Sequence, residues 1–151
     1  MNILISACLL GVNTRYNGGN NKVEKLTDLV KDVTFIPVCP EQLGGLPTPR
    51  HPAEIIQGNE KLSIVNNQGE SVTSQFVKGA EETLKIAQLY DCKYAILKER
   101  SPSCGSNKVY DGSFQGKVRD GKGVAATLLQ DNGIKVFSEE NINDFLTEIK
   151  K

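Results

Sequence analysis

The chain lacks the features that draw a protein to nucleic acid or to a membrane. Lysine plus arginine balance aspartate plus glutamate at 18 each, so no net charge attracts phosphates or anionic lipid. The apolar start, residues 3–10, is too short to span a bilayer and has neither a basic flank nor a small-residue cleavage site. We therefore expect a cytoplasmic protein that acts on neither nucleic acid nor a membrane.

Histidine and local metal motifs are also scarce. His51 is the single histidine, which disfavours catalytic zinc, because such sites usually recruit histidine. Its side chain is as compatible with a surface position as with a ligand contact. No CxxC pair occurs, and neither Gly18-Gly19 nor Gly44-Gly45 fits a P-loop or a dinucleotide fingerprint. We expect no nucleotide cofactor.

Strands alternate with helices along the chain. Apolar runs typical of buried strands occur at Ile3–Ile5, Thr34–Val38, Tyr94–Lys98 and Ile134–Phe137. Helical patterns occur at Val23–Val30, at Gln75–Tyr90, at Gly123–Asn132 before a terminating Gly133, and from Asn141 onwards. This alternation predicts an α/β protein with an open, mainly parallel, Rossmann-like sheet and helices on its faces. A ligand crevice is expected at the carboxyl ends of the strands.

The length fits one domain. A chain of 151 residues with 38% hydrophobic residues can bury one core but is too short for two ordinary ones, and it contains no repeat or linker. We therefore predict a single domain over residues 1–151. Three prolines make residues 47–65 an irregular, proline-rich insertion, in which Ile55-Ile56 and Leu62–Val65 can pair around Gly58-Asn59. The insertion is expected to flank the crevice.

Four cysteines occur without an export signal, so we expect reduced thiols that bind metal or catalyse rather than disulfides. Cys8 and Cys39 each directly follow a predicted strand, and Cys104 follows the third strand within a loop's length. In a parallel sheet with strands about 4.8 Å apart, these three thiols reach the same edge. Cys92 precedes the third strand, so it is expected at the opposite end and is excluded as a ligand.

Three converging thiolates are soft donors that suit an iron–sulfur cluster or zinc, and three protein ligands leave one metal position for substrate or water. The competing interpretation is that the cysteines are small apolar fillers of the core. Local sequence argues against it. Cys39 is followed by Pro40-Glu41-Gln42, and Cys104 follows Ser101-Pro102-Ser103, both of which are typical of polar turns.

These residues lie in three blocks that resemble the signature blocks of a known family. The blocks are SACLLG at residues 6–11, VCPEQLGGLPTPR at residues 38–50 and KERSPSCG at residues 98–105. The likeness continues through Tyr16–Gly19, Gly79-Ala80, Tyr110–Phe114 and Gly121–Val124, so it covers nearly the whole chain. The family was long labelled a domain of unknown function and includes the thiouracil desulfidases.

The resemblance implies a [4Fe-4S] cluster held by Cys8, Cys39 and Cys104, with a fourth iron free to take sulfur from a small thiolated substrate such as 2-thiouracil. It also implies a hydrolytic, non-redox desulfuration. The chain departs from the family at Thr14, where many relatives have a cysteine, and at His51, where they have an arginine or a similar residue. The first departure leaves the three ligands intact, whereas the second could alter substrate choice.

The resemblance also implies roles for three polar residues. Glu41 matches the family's acid–base glutamate, and one of Ser101 and Ser103 matches its substrate-side serine. The alternative for Glu41 is a solvated cap of a helix N-terminus, and the alternative for the serines is turn chemistry around Pro102. Desolvation above a cluster would raise the pKa of Glu41 towards the range useful for acid–base catalysis.

The leading hypothesis is therefore an iron–sulfur desulfidase of small thiocarbonyl compounds. One rival is a metal- or cluster-binding sensor or sulfur-transfer module without hydrolytic turnover, and the other is a protein whose cysteines only fill the core. Lys98 and Arg100 are expected to be solvated charges and are left outside the site. The sequence predicts no oligomeric state.

Overall fold

Strands and helices alternate along residues 1–58 and 60–150, which are the residues described by this computed structural model. The strands are β1 (Asn2–Ser6), β2 (Thr34–Val38), β3 (Ala53–Ile55), β4 (Ile64–Asn66), β5 (Tyr94–Leu97), β6 (Lys108–Tyr110), β7 (Val118–Asp120) and β8 (Lys135–Ser138). The α-helices are α1 (Glu24–Asp28), α2 (Pro40–Leu43), α3 (Thr73–Leu89), α4 (Val124–Asp131) and α5 (Ile142–Ile149). Short 3-10 helices cover Ala7–Leu10, Leu29–Lys31 and Glu139–Asn141. The predicted α/β fold class is confirmed.

The central sheet has four strands in the order β2-β1-β5-β8, and every neighbouring pair is parallel. The chain first adds β2 on one side of β1 and later returns to add β5 and β8 on the other side. The strand order therefore reverses at β1. In sheets of this kind, ligands bind outside the carboxyl ends of the strands at the point of reversal.

Helices cover both faces of this sheet, which explains the continuous apolar run in β1. Ile3, Leu4 and Ile5 are fully buried, as expected for a parallel sheet with no solvent face. On one face, Ile3 and Ile5 pack with Leu26 of α1 and Phe145 of α5. On the other face, Leu4 belongs to the apolar cluster that α3 and α4 help to form.

Two antiparallel hairpins stand beside the central sheet. The predicted hairpin in the insertion is present as β3 paired with β4, displaced by about two residues from the expected strands. Asn59, at the expected turn, lies outside the described residues. The second hairpin, β6 paired with β7, was not predicted. Its strands have three residues each and are mostly polar, so they lack the apolar run that marks a strand in a sequence.

The helix predictions differ from the structure mainly near the N-terminus. The expected helix at Val23–Val30 is divided between α1 and the 3-10 helix Leu29–Lys31. The expected helix at Gly123–Asn132 is α4, and Gly133 follows it with a positive φ of 83°. Among residues 1–58 and 60–150, no helix is both long and apolar enough to cross a membrane.

Candidate metal centre and active-site cavity

A cavity of about 640 Å³ opens at the carboxyl edge of the sheet, next to β1. Its wall includes Cys8, Cys39, Cys104, Glu41 and Ser101. The volume falls within the range of about 300–1,000 Å³ that is usual for small-molecule sites. The structure thus brings the three thiols and the carboxylate to one space, although they come from three separate strand ends.

Cys8 lies in the 3-10 helix that begins immediately after β1. This tight turn places its thiol at the edge of the sheet, where 9% of the residue is exposed. Asn21 fixes the turn, because its backbone N–H donates to the Cys8 carbonyl at 2.9 Å and its side-chain amide donates to Cys8 Sγ at 3.5 Å. Asn21 was not predicted as a site residue, since an isolated asparagine carries no local signal.

Cys39 caps the N-terminus of α2, with Pro40 in the first turn. Two glycines allow α2 to approach α3 at backbone contact. A Cβ added at Gly79 would lie 1.9 Å from the Pro40 carbonyl oxygen, and one added at Gly44 would lie 1.9 Å from the Gln75 carbonyl oxygen. Because neither glycine position has room for a methyl group, α3 fixes the turn that carries Cys39.

Cys104 lies in a buried turn after β5 that two serines hold together. Ser101 Oγ accepts hydrogen bonds from the backbone N–H groups of Ser103 and Cys104, both at 3.1 Å. Ser103 Oγ lies 2.9 Å from Ser101 Oγ and donates to Cys104 Sγ at 3.4 Å. Ser101 borders the cavity, whereas Ser103 is fully buried. The two hydroxyls therefore have different surroundings, which the sequence could not distinguish.

Burial raises the pKa of all three thiols. For Cys8 and Cys39 it outweighs the hydrogen bonds that favour the thiolate, and for Cys104 it raises the pKa to about 12. In the metal-free protein these groups are therefore protonated near neutrality. Binding of a metal would displace their protons, because only the thiolate is a metal ligand.

Glu41 lies on the cavity wall and pairs with a buried arginine. Its Oε2 accepts a hydrogen bond from Arg50 Nη2 at 3.2 Å, and the two side chains are 18% and 5% exposed. Burial raises the pKa of Glu41 above its ordinary value despite the opposing effect of Arg50. This combination holds a carboxyl group at the cavity with its proton affinity increased.

The chemistry of the donor set suits an iron–sulfur cluster. Within the described part of the chain, no three His, Cys, Asp or Glu side chains converge closely enough to hold one metal ion. A cluster does not require such convergence, because each thiolate binds a different iron. Three soft donors around a cavity of this size therefore fit an iron–sulfur cluster with three protein ligands.

The cavity wall also includes two aromatic side chains that were not predicted, Tyr110 and Phe114. Tyr110 ends β6, and Phe114 lies in the loop before β7 with a positive φ of 57°. The buried carboxylate of Glu54 fixes this loop by accepting hydrogen bonds from the backbone N–H groups of Gly112 and Phe114, at 3.0 and 3.2 Å. The short β6–β7 hairpin thereby places two rings against the site.

Comparison with known proteins assigns this architecture to a family. The family model described as 2-thiouracil desulfurase matches residues 3–141. The chain belongs to the 2-thiouracil desulfurase family. The predicted enzyme class, a desulfidase, is thus confirmed at the level of the family.

Two similar proteins match this chain over nearly the full length of both sequences. Uncharacterized protein YbbK of Bacillus subtilis (strain 168) is 46% identical in an alignment 150 positions long, and the match covers 95% of this chain and 99% of that protein. Among solved structures, the [4Fe-4S]-dependent thiouracil desulfidase TudS is 39% identical. The two folds superpose with a TM-score of 0.90 over 99% of this chain and 97% of that one.

Two residues lie elsewhere than their sequence context indicated. Lys98 and Arg100 were expected outside the site but border the cavity, and Lys98 Nζ pairs with Glu139 at 2.7 Å. His51 borders a separate cavity of about 430 Å³. Cys92 is buried in the apolar cluster of α3 and α4 and does not border the thiol cavity, and its exclusion as a ligand stays a prediction.

Proposed function

We propose that this chain binds a [4Fe-4S] cluster and hydrolyses a small thiocarbonyl compound without net oxidation or reduction. The observation that carries the proposal is the single cavity bordered by three thiols from three strand ends and by the Glu41 carboxyl group. Membership of the desulfurase family and the likeness to a [4Fe-4S]-dependent desulfidase support it. In the overall reaction, the oxygen of water replaces sulfur on carbon, and sulfur leaves as hydrogen sulfide.

Cys8, Cys39 and Cys104 would hold the cluster through their thiolates. When bound, the cluster supplies an iron without a protein ligand, which as a Lewis acid attracts the soft sulfur of a thiocarbonyl group. Hydrogen-bond donors next to two of the sulfurs would stabilise the negative charge of their thiolates. Asn21 donates to Cys8 and Ser103 donates to Cys104, so both sulfurs have a hydrogen bond in place.

Glu41 is proposed to move the proton during water attack. Its carboxyl group lies at the cavity, and burial raises its pKa, so the protonated and ionised forms are closer in free energy at neutral pH than they are in water. The ionised form can take a proton from the attacking water. The protonated form can give a proton to a ring nitrogen of the substrate or to the leaving sulfur.

Ser101 is the serine that we propose to contact the substrate. It borders the cavity, and its hydroxyl can donate to a substrate oxygen or to a water molecule by giving up its 2.9 Å contact with Ser103 Oγ. Ser103 is fully buried, and its hydroxyl donates to the thiol of Cys104. We assign Ser103 to support of that thiol.

The aromatic wall favours a planar heterocycle as the substrate. Tyr110 and Phe114 border the same cavity as the thiols, and aromatic rings pack well against flat rings of similar size. A thiopyrimidine such as 2-thiouracil combines such a ring with a thiocarbonyl group. The cavity volume of about 640 Å³ accommodates a single ring together with a cluster.

Purification without air followed by a sulfide-release assay tests the proposal. We expect a brown protein with roughly four irons per chain, as a [4Fe-4S] cluster requires. With 2-thiouracil, the protein should release sulfide and uracil in equal amounts without an added reductant. The assay should include other thiolated pyrimidines, because cavity chemistry selects the class of compound rather than one member.

Two results would contradict the proposal in different ways. A colourless protein that carries zinc would exclude the cluster. A protein that carries the cluster but releases no sulfide from any thiocarbonyl compound would instead favour a sensor or a sulfur-transfer module. Cys92→Ser is the matched control for the ligand variants, since this thiol is buried outside the cavity.

A further inference from the structure

Arg50 contacts both the thiol of Cys39, at the N-cap of α2, and the carboxyl group of Glu41 in α2. Its side chain is only 5% exposed, and it lies in the insertion on the cavity wall. Arg50 Nη2 lies 2.9 Å from the Thr14 carbonyl oxygen, 3.2 Å from Glu41 Oε2 and 3.9 Å from Cys39 Sγ. Nη1 is held by the Pro47 carbonyl and by the Thr48 hydroxyl.

The hydrogen bonds around Nη2 must change when Cys39 binds metal. Nη2 has two hydrogens and three acceptors within reach. In the metal-free protein, the Cys39 thiol donates a hydrogen bond to the Thr14 carbonyl at 3.8 Å. As a neutral group, it has no negative charge for Arg50 to balance. A thiolate has no hydrogen to donate and becomes a charged acceptor. The guanidinium is the cation already next to it.

The charge of Arg50 also lacks full compensation without a cluster. Its Nε–H is buried and has no hydrogen-bond partner among the residues that the structure describes. The carboxyl group of Glu41 is its only ion-pair partner there. Buried charges are costly unless paired and hydrogen-bonded, so a negatively charged cluster next to Arg50 would stabilise it.

We propose that Arg50 is a positioning residue that links the Cys39 thiolate to Glu41 and donates to both when the cluster is bound. The inference rests on the proposed role of Cys39 as a cluster ligand. The planar guanidinium suits this task because one side chain can present several donors in fixed directions. A lysine at this position would keep the positive charge but lose the fixed geometry.

Arg50→Met and Arg50→Lys test the link in the full chain reconstituted without air. Loss of an outer partner of a metal ligand typically costs about 10- to 100-fold in affinity, so Arg50→Met should release iron to EDTA faster by a similar factor. Its cluster should also have a lower reduction potential, because hydrogen bonds to the cluster sulfurs raise the potential. Arg50→Lys should lie between Arg50→Met and the wild type in both measurements.

Arg119→Lys is the matched control, because Arg119 lies in β7 away from the cavity and donates to the Asp120 carbonyl. A wild-type release rate and a wild-type potential in Arg50→Met would overturn the inference. If Arg50→Met does not fold, Arg50→Lys decides by the same two measurements. A wild-type protein without a cluster would overturn both proposals. A wild-type protein that holds the cluster without releasing sulfide would overturn only the proposed function.

Discussion

At the scale of single residues, the four thiols divide into two groups by position. Cys8, Cys39 and Cys104 border the cavity, whereas Cys92 is 4% exposed within the apolar cluster of α3 and α4. We expect serine at any of the first three positions to deplete the iron, because oxygen is a harder and poorer ligand than thiolate. Iron content per chain, measured after anaerobic reconstitution, checks this prediction. Iron lost from Cys92→Ser alone would contradict it.

Glu41 offers a prediction that separates catalysis from cluster binding. Glu41→Gln keeps the size and most hydrogen bonding of the side chain but removes the titratable proton. Since general acid–base catalysis typically contributes about 100- to 10,000-fold, sulfide release should fall by that order while iron content stays unchanged. Both quantities should be measured on the same preparation, with Cys104→Ser as a reference that loses both. A near-normal rate would remove Glu41 from the proton-transfer role.

Glu99 makes the stability of the site depend on pH. This residue is 2% exposed, and its carboxylate accepts hydrogen bonds from the backbone N–H groups of Ser106, Asn107 and Lys108 at 2.9, 3.0 and 3.0 Å. Burial opposes ionisation, but these hydrogen bonds prevail and lower the pKa of Glu99. The stabilisation is therefore present above the unfolded pKa of about 4.3 and is lost as pH falls through the lower folded pKa.

Glu99→Gln is expected to lower the free energy of unfolding at neutral pH by about 1–3 kcal/mol, because an amide oxygen replaces a charged acceptor. The difference from the wild type should shrink as pH falls below the unfolded pKa of about 4.3 and through the lower folded pKa, because the wild-type carboxylate then becomes protonated. Urea unfolding at pH 7 and below pH 4 measures both effects. Glu81→Gln, at an exposed position of α3, should change little at either pH.

At the scale of elements, the contact between α2 and α3 determines where Cys39 and Glu41 stand. A Cβ on Gly79 would lie 1.9 Å from the Pro40 carbonyl oxygen, so Gly79→Ala must separate the two helices. Overpacking of this kind typically costs about 1–3 kcal/mol, and the shifted turn should also hold iron less firmly. Thermal unfolding and iron release to a chelator measure the two consequences.

Lys78→Ala is a suitable comparison for Gly79→Ala, because the neighbouring side chain is exposed on the same helix. It should stay within about 0.5 kcal/mol of the wild type. Gly79→Ala with unchanged stability and iron retention would show that α2 can move without affecting the site.

The sequence predicts elements better than contacts between side chains. The strands that carry the three thiols were correct to within one residue, because a parallel sheet buried on both faces leaves long apolar runs. The β6–β7 hairpin was missed, since its buried residue Val109 packs against Ile55 and Ile64 of the other hairpin, a contact that only the fold creates. The role of Arg50 was missed for a similar reason. Only the fold brings it to Thr14 and Cys39.

At the scale of the whole molecule, the cluster should act as a ligand of a fold that already exists. Cys8 and Cys104 each belong to one of the two apolar clusters on the faces of the sheet, but the other members of these clusters are apolar side chains that pack without any metal. We therefore expect the metal-free protein to be folded. Circular dichroism of the metal-free chain should show native helix content, and a random-coil spectrum would contradict this expectation.

Cluster binding should then raise the melting temperature. A ligand present at about 100 times its dissociation constant stabilises the folded state by about 2.7 kcal/mol. For a domain of 150 residues, this corresponds to a rise of roughly 5–10 °C. Anaerobic melting curves with and without the cluster provide the measurement. Equal melting temperatures would indicate that the thiols do not hold the cluster in the folded protein.

The three thiols follow three different strands, and this arrangement bears on whether the chain folds before or after the cofactor is inserted. A zinc finger carries neighbouring ligands in one short segment, so its metal can organise the chain. Here Cys8, Cys39 and Cys104 are far apart along the chain, so an unfolded chain offers the three thiols at low effective concentration. We therefore expect cofactor insertion to follow folding. A cluster donor in the cell would meet a finished protein and recognise its shape rather than its sequence.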